Sequence, residues 1–243
     1  MKNVALRTVF RPVKNILSQA AFRVCTLALG ILLPGRLLAQ APATAADPTV
    51  VRLPGTTAKT RVYGEVGFGV NKILLFGDTR NQLVRALGGS ADFGSANNLL
   101  AGFFVAPEKW RGLGVGFHMS GTFGAPVTGD FGDQYIFNAY NVGVAAKYYP
   151  LSRQFNRGLY GRGSIGFGQF TTKRFRQDTN FYRHQYALGS SLMGALGYSV
   201  RVKGLSVGLE AEVESASRSG TVNGLGSQTF KSGQLGVNLV VSF

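Results

Sequence analysis

The chain has 243 residues, 45% of them hydrophobic and only 15% charged, whereas an ordinary soluble domain is about a quarter charged. It carries 34 glycines together with 18 Phe and 9 Tyr, which excludes a disordered glycine-rich segment, because such chains lack the apolar and aromatic side chains that drive collapse. The formal net charge of +15 is uneven: Lys2, Arg7, Arg11, Lys14, Arg23 and Arg36 supply six of those charges with no acid among residues 1–40, so the remainder is weak support for a nucleic-acid partner.

The first element is the apolar run Val24–Leu33, which follows a basic stretch and precedes the small residues Ala39, Ala41, Ala43, Ala45 and Ala46. This is the three-part layout of a secretory signal, assigned to residues 1–39, with cleavage after Ala39 or Ala41. A spanning helix does not fit, since the apolar stretch between Arg23 and Arg36 is 12 residues long and contains Pro34, against the roughly 20 a bilayer needs. Cys25 is the only cysteine, and Phe22, Arg23 and Val24 ahead of it lack the small residue of a lipoprotein site. The mature chain is then free of disulfides, as an envelope protein can be. Residues 40–58, rich in Ala, Pro and Thr, read as a flexible leader, and 59–243 as one barrel domain.

From Lys59 onward the chain alternates with period 2 rather than 3.6. In the first strand Val62, Val66, Phe68 and Val70 oppose Arg61, Glu65, Gly67 and Gly69. Asn98–Ala106 is strand-like but too uniformly apolar to assign faces. Leu113, Val115, Phe117 and Met119 oppose Gly114, Gly116, His118 and Ser120; Tyr140, Val142, Val144, Ala146 and Tyr148 oppose Asn141, Gly143, Ala145 and Lys147. Leu159, Ile165 and Phe167 then oppose Arg162, Ser164, Gly166 and Gly168, and the sixth strand sets Tyr186, Leu188, Leu192, Leu196, Tyr198 and Val200 against small residues. In the seventh, Leu205, Val207, Leu209, Ala211 and Val213 face Ser206, Gly208, Glu210, Glu212 and Glu214. In the eighth, Leu235, Val237, Leu239, Val241 and Phe243 face Gln234, Gly236, Asn238, Val240 and Ser242.

Links alternate too: short after the second, fourth and sixth strands, longer at about 71–96, 124–137, 172–184 and 218–228. Eight strands of about ten residues, with both ends on the short-turn side, describe an all-β, closed up-and-down antiparallel transmembrane barrel, whose closure leaves no edge for lipid to meet. A soluble eight-stranded barrel would carry its charges outside. Here the polar face is mostly Gly, Ser and Ala, which suits the narrow interior of an eight-stranded barrel.

The signal segment, the eight alternating strands and the ending VNLVVSF resemble the small Gram-negative outer-membrane barrel proteins, the porin-like "outer membrane protein beta-barrel domain" family. The resemblance covers Lys59–Phe243. It implies a cell outer-membrane location among membrane lipids and lipopolysaccharide, and an ending read by the barrel assembly machinery, for which Val237, Leu239, Val241 and Phe243 match. It does not fix an activity, because the family has structural, adhesive, transport and enzymatic members.

Several residue groups are candidates for chemistry. Gly161–Gly166 spells GxGxxG, but a dinucleotide site needs a helix after it and FGQFTTKRF has no helical pattern, so no cofactor is expected. Arg61, Glu65, Lys147, Arg162, Glu210, Glu212 and Glu214 share the inward face, with Arg201 near one end; confined charges must pair, so they read as a lumen network or, alternatively, as a narrow path for small or hydrophobic solutes. His118-Met119-Ser120 matches the His-x-Ser pair of lipid A deacylases, though no acid adjoins it, so a lipid A-modifying enzyme ranks third. Lys173, Arg174, Arg176 and Arg183 lie among aromatics in the link after the fifth strand and read as a basic surface loop for phosphates or a surface ligand. Trp110, Tyr148, Tyr149, Tyr160 and Tyr198 near the short turns, with Phe123, Phe137 and Tyr140 near the long links, read as two interfacial girdles. No metal-ligand spacing is present. The expectation is a monomeric, non-enzymatic barrel with a structural or surface-interaction role.

Overall fold

In a computed structural model, residues 50–51, 59–88, 95–129, 132–152, 154–176 and 181–243 are described. The proposed signal peptide lies outside them, as does all of the leader except Val50 and Val51, which pair antiparallel with Arg61 and Thr60.

Eight long strands make up the domain: β1 Thr60–Leu75, β2 Ser95–Pro107, β3 Leu113–Gly124, β4 Gln134–Tyr148, β5 Gly158–Arg176, β6 Phe181–Val202, β7 Leu205–Val222 and β8 Gly226–Ser242. Each pairs antiparallel with its sequence neighbour. The ring closes where β8 runs antiparallel to β1, from Ser242 opposite Glu65 to Ser232 opposite Leu75. The chain is thus a closed up-and-down barrel, and every strand has two partners.

Alternation sorts the side chains into two walls. Phe68, Ile165, Leu196, Leu209 and Val237 stand exposed on the outside, while Glu65, Lys147, Arg162, Glu210 and Asn238 are buried inside. β2, whose composition hid its parity, turns Asn98, Leu100, Phe104 and Ala106 inward and leaves Phe103 outside. At the β6–β7 reversal Lys203 and Gly204 both take positive φ, 46° and 89°, the two-residue hairpin turn whose twist matches its strands.

The strands exceed the expected ten residues, reaching 19 in β5 and 22 in β6. Two long links contract accordingly: the ladder runs to Arg176 and resumes at Phe181, and on the other side only residues 223–225 separate β7 from β8. Polar cross-strand pairs such as Ser217 with Lys231 carry these hairpins past the apolar wall. Val127 and Thr128 also pair back onto β4.

The first long link holds a helix, α1 Asp78–Ala86, which the alternation did not suggest. Asp78 in its first turn and Arg85 in its last oppose the helix dipole favourably. Leu83 and Leu87, one turn apart, form its buried face. They join Ile73, Leu75, Ala96, Tyr135, Phe137, Phe170, Val222 and Phe230 in an apolar cluster at the long-link end of the barrel.

Candidate functional site

The lumen is filled at three levels. At the short-turn end, Phe155 from the β4–β5 turn packs against Tyr63, Phe104 and Tyr149, with ring centroids 4.8, 5.8 and 5.1 Å away. Tyr149 in turn lies 5.1 Å from Tyr160. Glycine makes room for this layer: a Cβ on Gly197 would sit 2.4 Å from Tyr160 Cζ. Tyr149 and Tyr160 therefore face the lumen and not a girdle, and at the other end Phe137 joins the apolar cluster; all three are buried. Their inward parity outranks their position near strand ends. Trp110, Tyr148 and Tyr198 remain exposed.

The middle level is ionic. Lys147 Nζ donates to Glu65 Oε2 at 2.7 Å and lies 4.2 Å over the Tyr160 ring. The Arg162 guanidinium contacts Glu210 at 2.7 Å, Glu212 at 2.8 Å and Glu65 at 3.5 Å, and Tyr160 donates its hydroxyl to Glu210 at 3.1 Å. Higher up, Arg218 pairs with Glu214 at 2.7 Å, while Asn141 and Gln234 donate to the other Glu214 oxygen at 3.0 and 2.6 Å. Above it a neutral lattice takes over: Asn98 donates to Asn238 at 2.8 Å, Asn71 donates to Gln234 at 3.1 Å, and Thr122 donates to Asn98 at 3.0 Å. The apolar cluster with α1 closes the far end.

Six of the seven expected lumen charges, Glu65, Lys147, Arg162, Glu210, Glu212 and Glu214, come together in this manner. Arg61 does not: it starts β1 at the short-turn mouth, where it pairs with Glu108 at 3.3 Å and stays partly exposed. Its place is taken by Arg218, two residues beyond Ala216 on the inward parity of β7. Arg218 lies two steps further along the Glu210, Glu212, Glu214 series, beyond the point where apolar alternation on the outer face fades.

His118 and Ser120 are both buried on the inward face of β3. His118 Nε2 and Ser120 Oγ have no hydrogen-bond partner among the described residues, so neither a His–Ser nor a His–carboxylate bond exists to activate a nucleophile. Gly161–Gly166 lies within β5 and opens no helix.

The basic group is strand and not loop. Lys173, Arg174 and Arg176 end β5 and Arg183 begins β6, with Lys173 opposite His184 and Arg174 opposite Arg183. Cross-strand pairing continues there, so parity splits the group. Arg174 and Arg176 turn to the inner side, where both bind the Asp133 carboxylate, Arg174 through Nε at 2.9 Å and Arg176 through Nη2 at 3.1 Å; Lys173 shares the outer parity. The hydrogen bond from Arg176, aided by Arg174, holds the Asp133 carboxyl below its ordinary value of 3.8.

At the seam, Gly64 and Phe243 exchange two backbone hydrogen bonds of 2.9 Å. The Phe243 ring lies over Gly64, where a Cβ would come within 2.6 Å of it. Val237 and Leu239 stand exposed on the outer wall below it, and Val241 is half-buried.

Fold and site together define a closed eight-stranded barrel with a filled, ion-paired lumen and a polar rim. No protein-family model matches the chain, and no curated protein matches its sequence. Among solved structures it is similar to Ail, the attachment invasion locus protein of Yersinia pestis, in complex with the heparin analogue sucrose octasulfate, at 11% identity over 75% of this chain and 99% of that one, with a TM-score of 0.47. A second structure of Ail gives 12% identity over 74% and 98%, TM-score 0.43. Neisserial surface protein A gives 12% over 75% and 97%, TM-score 0.40. The barrel assignment itself rests on the closed strand pairing.

Proposed function

We propose that this chain is an exported outer-membrane protein with a structural or surface-interaction role and no catalytic one, its short turns and termini in the periplasm and its long-link end outside. The observation that carries this reading is the lumen filled at three levels, aromatic, ionic and apolar, which leaves the outer wall and the rim as the surfaces available for work. An apolar outer wall over a polar inside suits lipid and not water. β6 has 22 residues where a tilted spanning strand needs about 9–11, so the β5–β6 hairpin has roughly 11 residues more than a span requires, about 36 Å of strand at about 3.3 Å per residue. Its outer parity presents Lys173, Tyr182, His184 and Tyr186 just beyond the apolar wall, a setting suited to lipopolysaccharide phosphates and to a surface ligand. The comparison with Ail, crystallised with a heparin analogue, suggests sulfated or phosphorylated polyanions as the probes to try first.

Val237, Leu239, Val241 and Phe243 serve as the ending that the assembly machinery reads, and the folded protein acts as a monomer. Lipid A chemistry is disfavoured by the burial of His118 and Ser120 inside the filled lumen. Planar-bilayer recording tests the reading against the channel alternative: purified protein should insert without steady conductance. Reproducible unitary steps from the wild type would replace the structural reading with solute passage.

A further inference from the structure

The short-turn mouth contains a cleft of about 390 Å³, within the range of small-ligand sites. Five separate stretches wall it: the start of β1, the end of β2 with the link after it, the β4–β5 turn, the β6–β7 reversal with its flanking strand ends, and the end of β8. Arg61, Arg157 and Arg201 all line it, and among the described residues Glu108 is the only acidic side chain that does. Arg61 is engaged with Glu108; Arg157 and Arg201 have no ion-pair partner among the described residues. The aromatic floor, Tyr63 against Phe155, gives the same cleft an apolar wall.

We propose that this mouth is a binding site for a phosphate group. Guanidinium groups bind phosphate and carboxylate as planar forks. One fork satisfies the two coplanar oxygens of a carboxylate, whereas guanidiniums arriving from three different segments can address a tetrahedral dianion from three sides. The Tyr63–Phe155 wall adds contact for an apolar portion attached to the phosphate. The phosphate can come from a lipid headgroup of the inner leaflet or from a free phosphorylated solute, and the two sources present the same chemistry to the three arginines. Glu108 opposes it, so its charge sets the affinity.

The test uses full-length protein in phosphate-free micelles, titrated calorimetrically with inorganic phosphate, pyrophosphate, lysophosphatidic acid and succinate. Phosphate-bearing probes should bind and succinate should bind at least about tenfold more weakly. Arg157→Gln with Arg201→Gln should lose about tenfold or more, the scale of a charged hydrogen bond or better. Glu108→Gln should bind several-fold tighter, a gain that misfolding does not produce. Lys231→Gln, at the opposite end and outside any proposed binding surface, should leave affinity unchanged. Tighter binding of lysophosphatidic acid than of pyrophosphate assigns the lipid source, and the reverse assigns the solute. Equal affinity in wild type and the double arginine variant, or no binding by any phosphate probe, overturns the proposal. The readout is binding to purified protein, so it stands or falls separately from the outer-membrane role.

Discussion

Arg162 is the residue whose loss the structure makes most costly. Buried at the centre of the lumen, it faces Glu65, Glu210 and Glu212 within 3.5 Å, and among the described residues only Lys147 and Arg218 pair with the same carboxylates and Glu214. Arg162→Met leaves four carboxylates facing two cations in the buried centre of the lumen. Breaking a buried pair by removing one partner costs about 3–5 kcal/mol, and with Glu210 and Glu212 both stranded while Glu65 keeps Lys147 the upper value applies, close to three and a half orders of magnitude in the folding equilibrium at 1.4 kcal/mol per decade. Urea unfolding in lipid vesicles, followed by the mobility of unheated protein on gels and by Trp110 fluorescence, reads this directly. Adding Glu210→Gln and Glu212→Gln to Arg162→Met should recover most of the loss, since discharging both sides of an ion pair removes the stranded charge. An Arg162→Met barrel with the wild-type urea midpoint would refute the reasoning, because the network would then contribute nothing to holding the barrel together.

Other consequences are accessible to simple variants. Leu83→Ala, at a fully buried position in the apolar cluster, should cost about 3 kcal/mol locally, seen as roughly hundredfold faster amide exchange in α1 with β6–β8 amides unchanged; unaltered exchange would mean that α1 is not held by this contact. The Asp133 carboxyl has its folded pKa below the unfolded value of 3.8, so the clamp on Arg174 and Arg176 is fully present above that value and fades as pH falls below it. Protease sensitivity of this rim should rise below about pH 4 in the wild type, whereas Asp133→Asn should be sensitive at neutral pH with little further change; a wild type insensitive to acid contradicts the assignment. Gly64→Val, which pushes a side chain into the Phe243 ring, should lower the yield of folded barrel, and a normal yield would show that the ring does not lock the seam. Replacing Lys173, Arg174, Arg176 and Arg183 together should weaken lipopolysaccharide binding severalfold, and unchanged binding would remove that partner from the rim.

Parity alone carried most of the architecture. Strand count, antiparallel order, closure and six of the lumen charges follow from which residues share a face with Glu65, Lys147 or Glu212, because one face must be apolar and the other must fit inside. Four things are hidden for physical reasons. α1 spans nine residues with only Leu83 and its neighbours as apolar markers, too few turns for a 3.6-residue period to stand out. Hydrophobic alternation fades before the strands end, and hydrogen bonding between Thr172 and Arg176 and their partners continues without it, which hides both Arg218 and the hairpin carrying Arg183. Tyr149, Tyr160 and Phe137 lie near strand ends, yet their inward parity and not that proximity decides where they point. The mouth cleft could not be seen at all, since Arg61, Arg157 and Arg201 meet only through barrel closure.

Gel mobility of the isolated outer-membrane fraction, with and without heating, bears most directly on the claim that this chain is a membrane-spanning barrel. A closed barrel resists detergent until boiled, so unheated protein in that fraction should run as a compact, faster band that converts to the full-length position on heating. A single band unaffected by heating, or protein found only in the soluble fraction, would contradict the account.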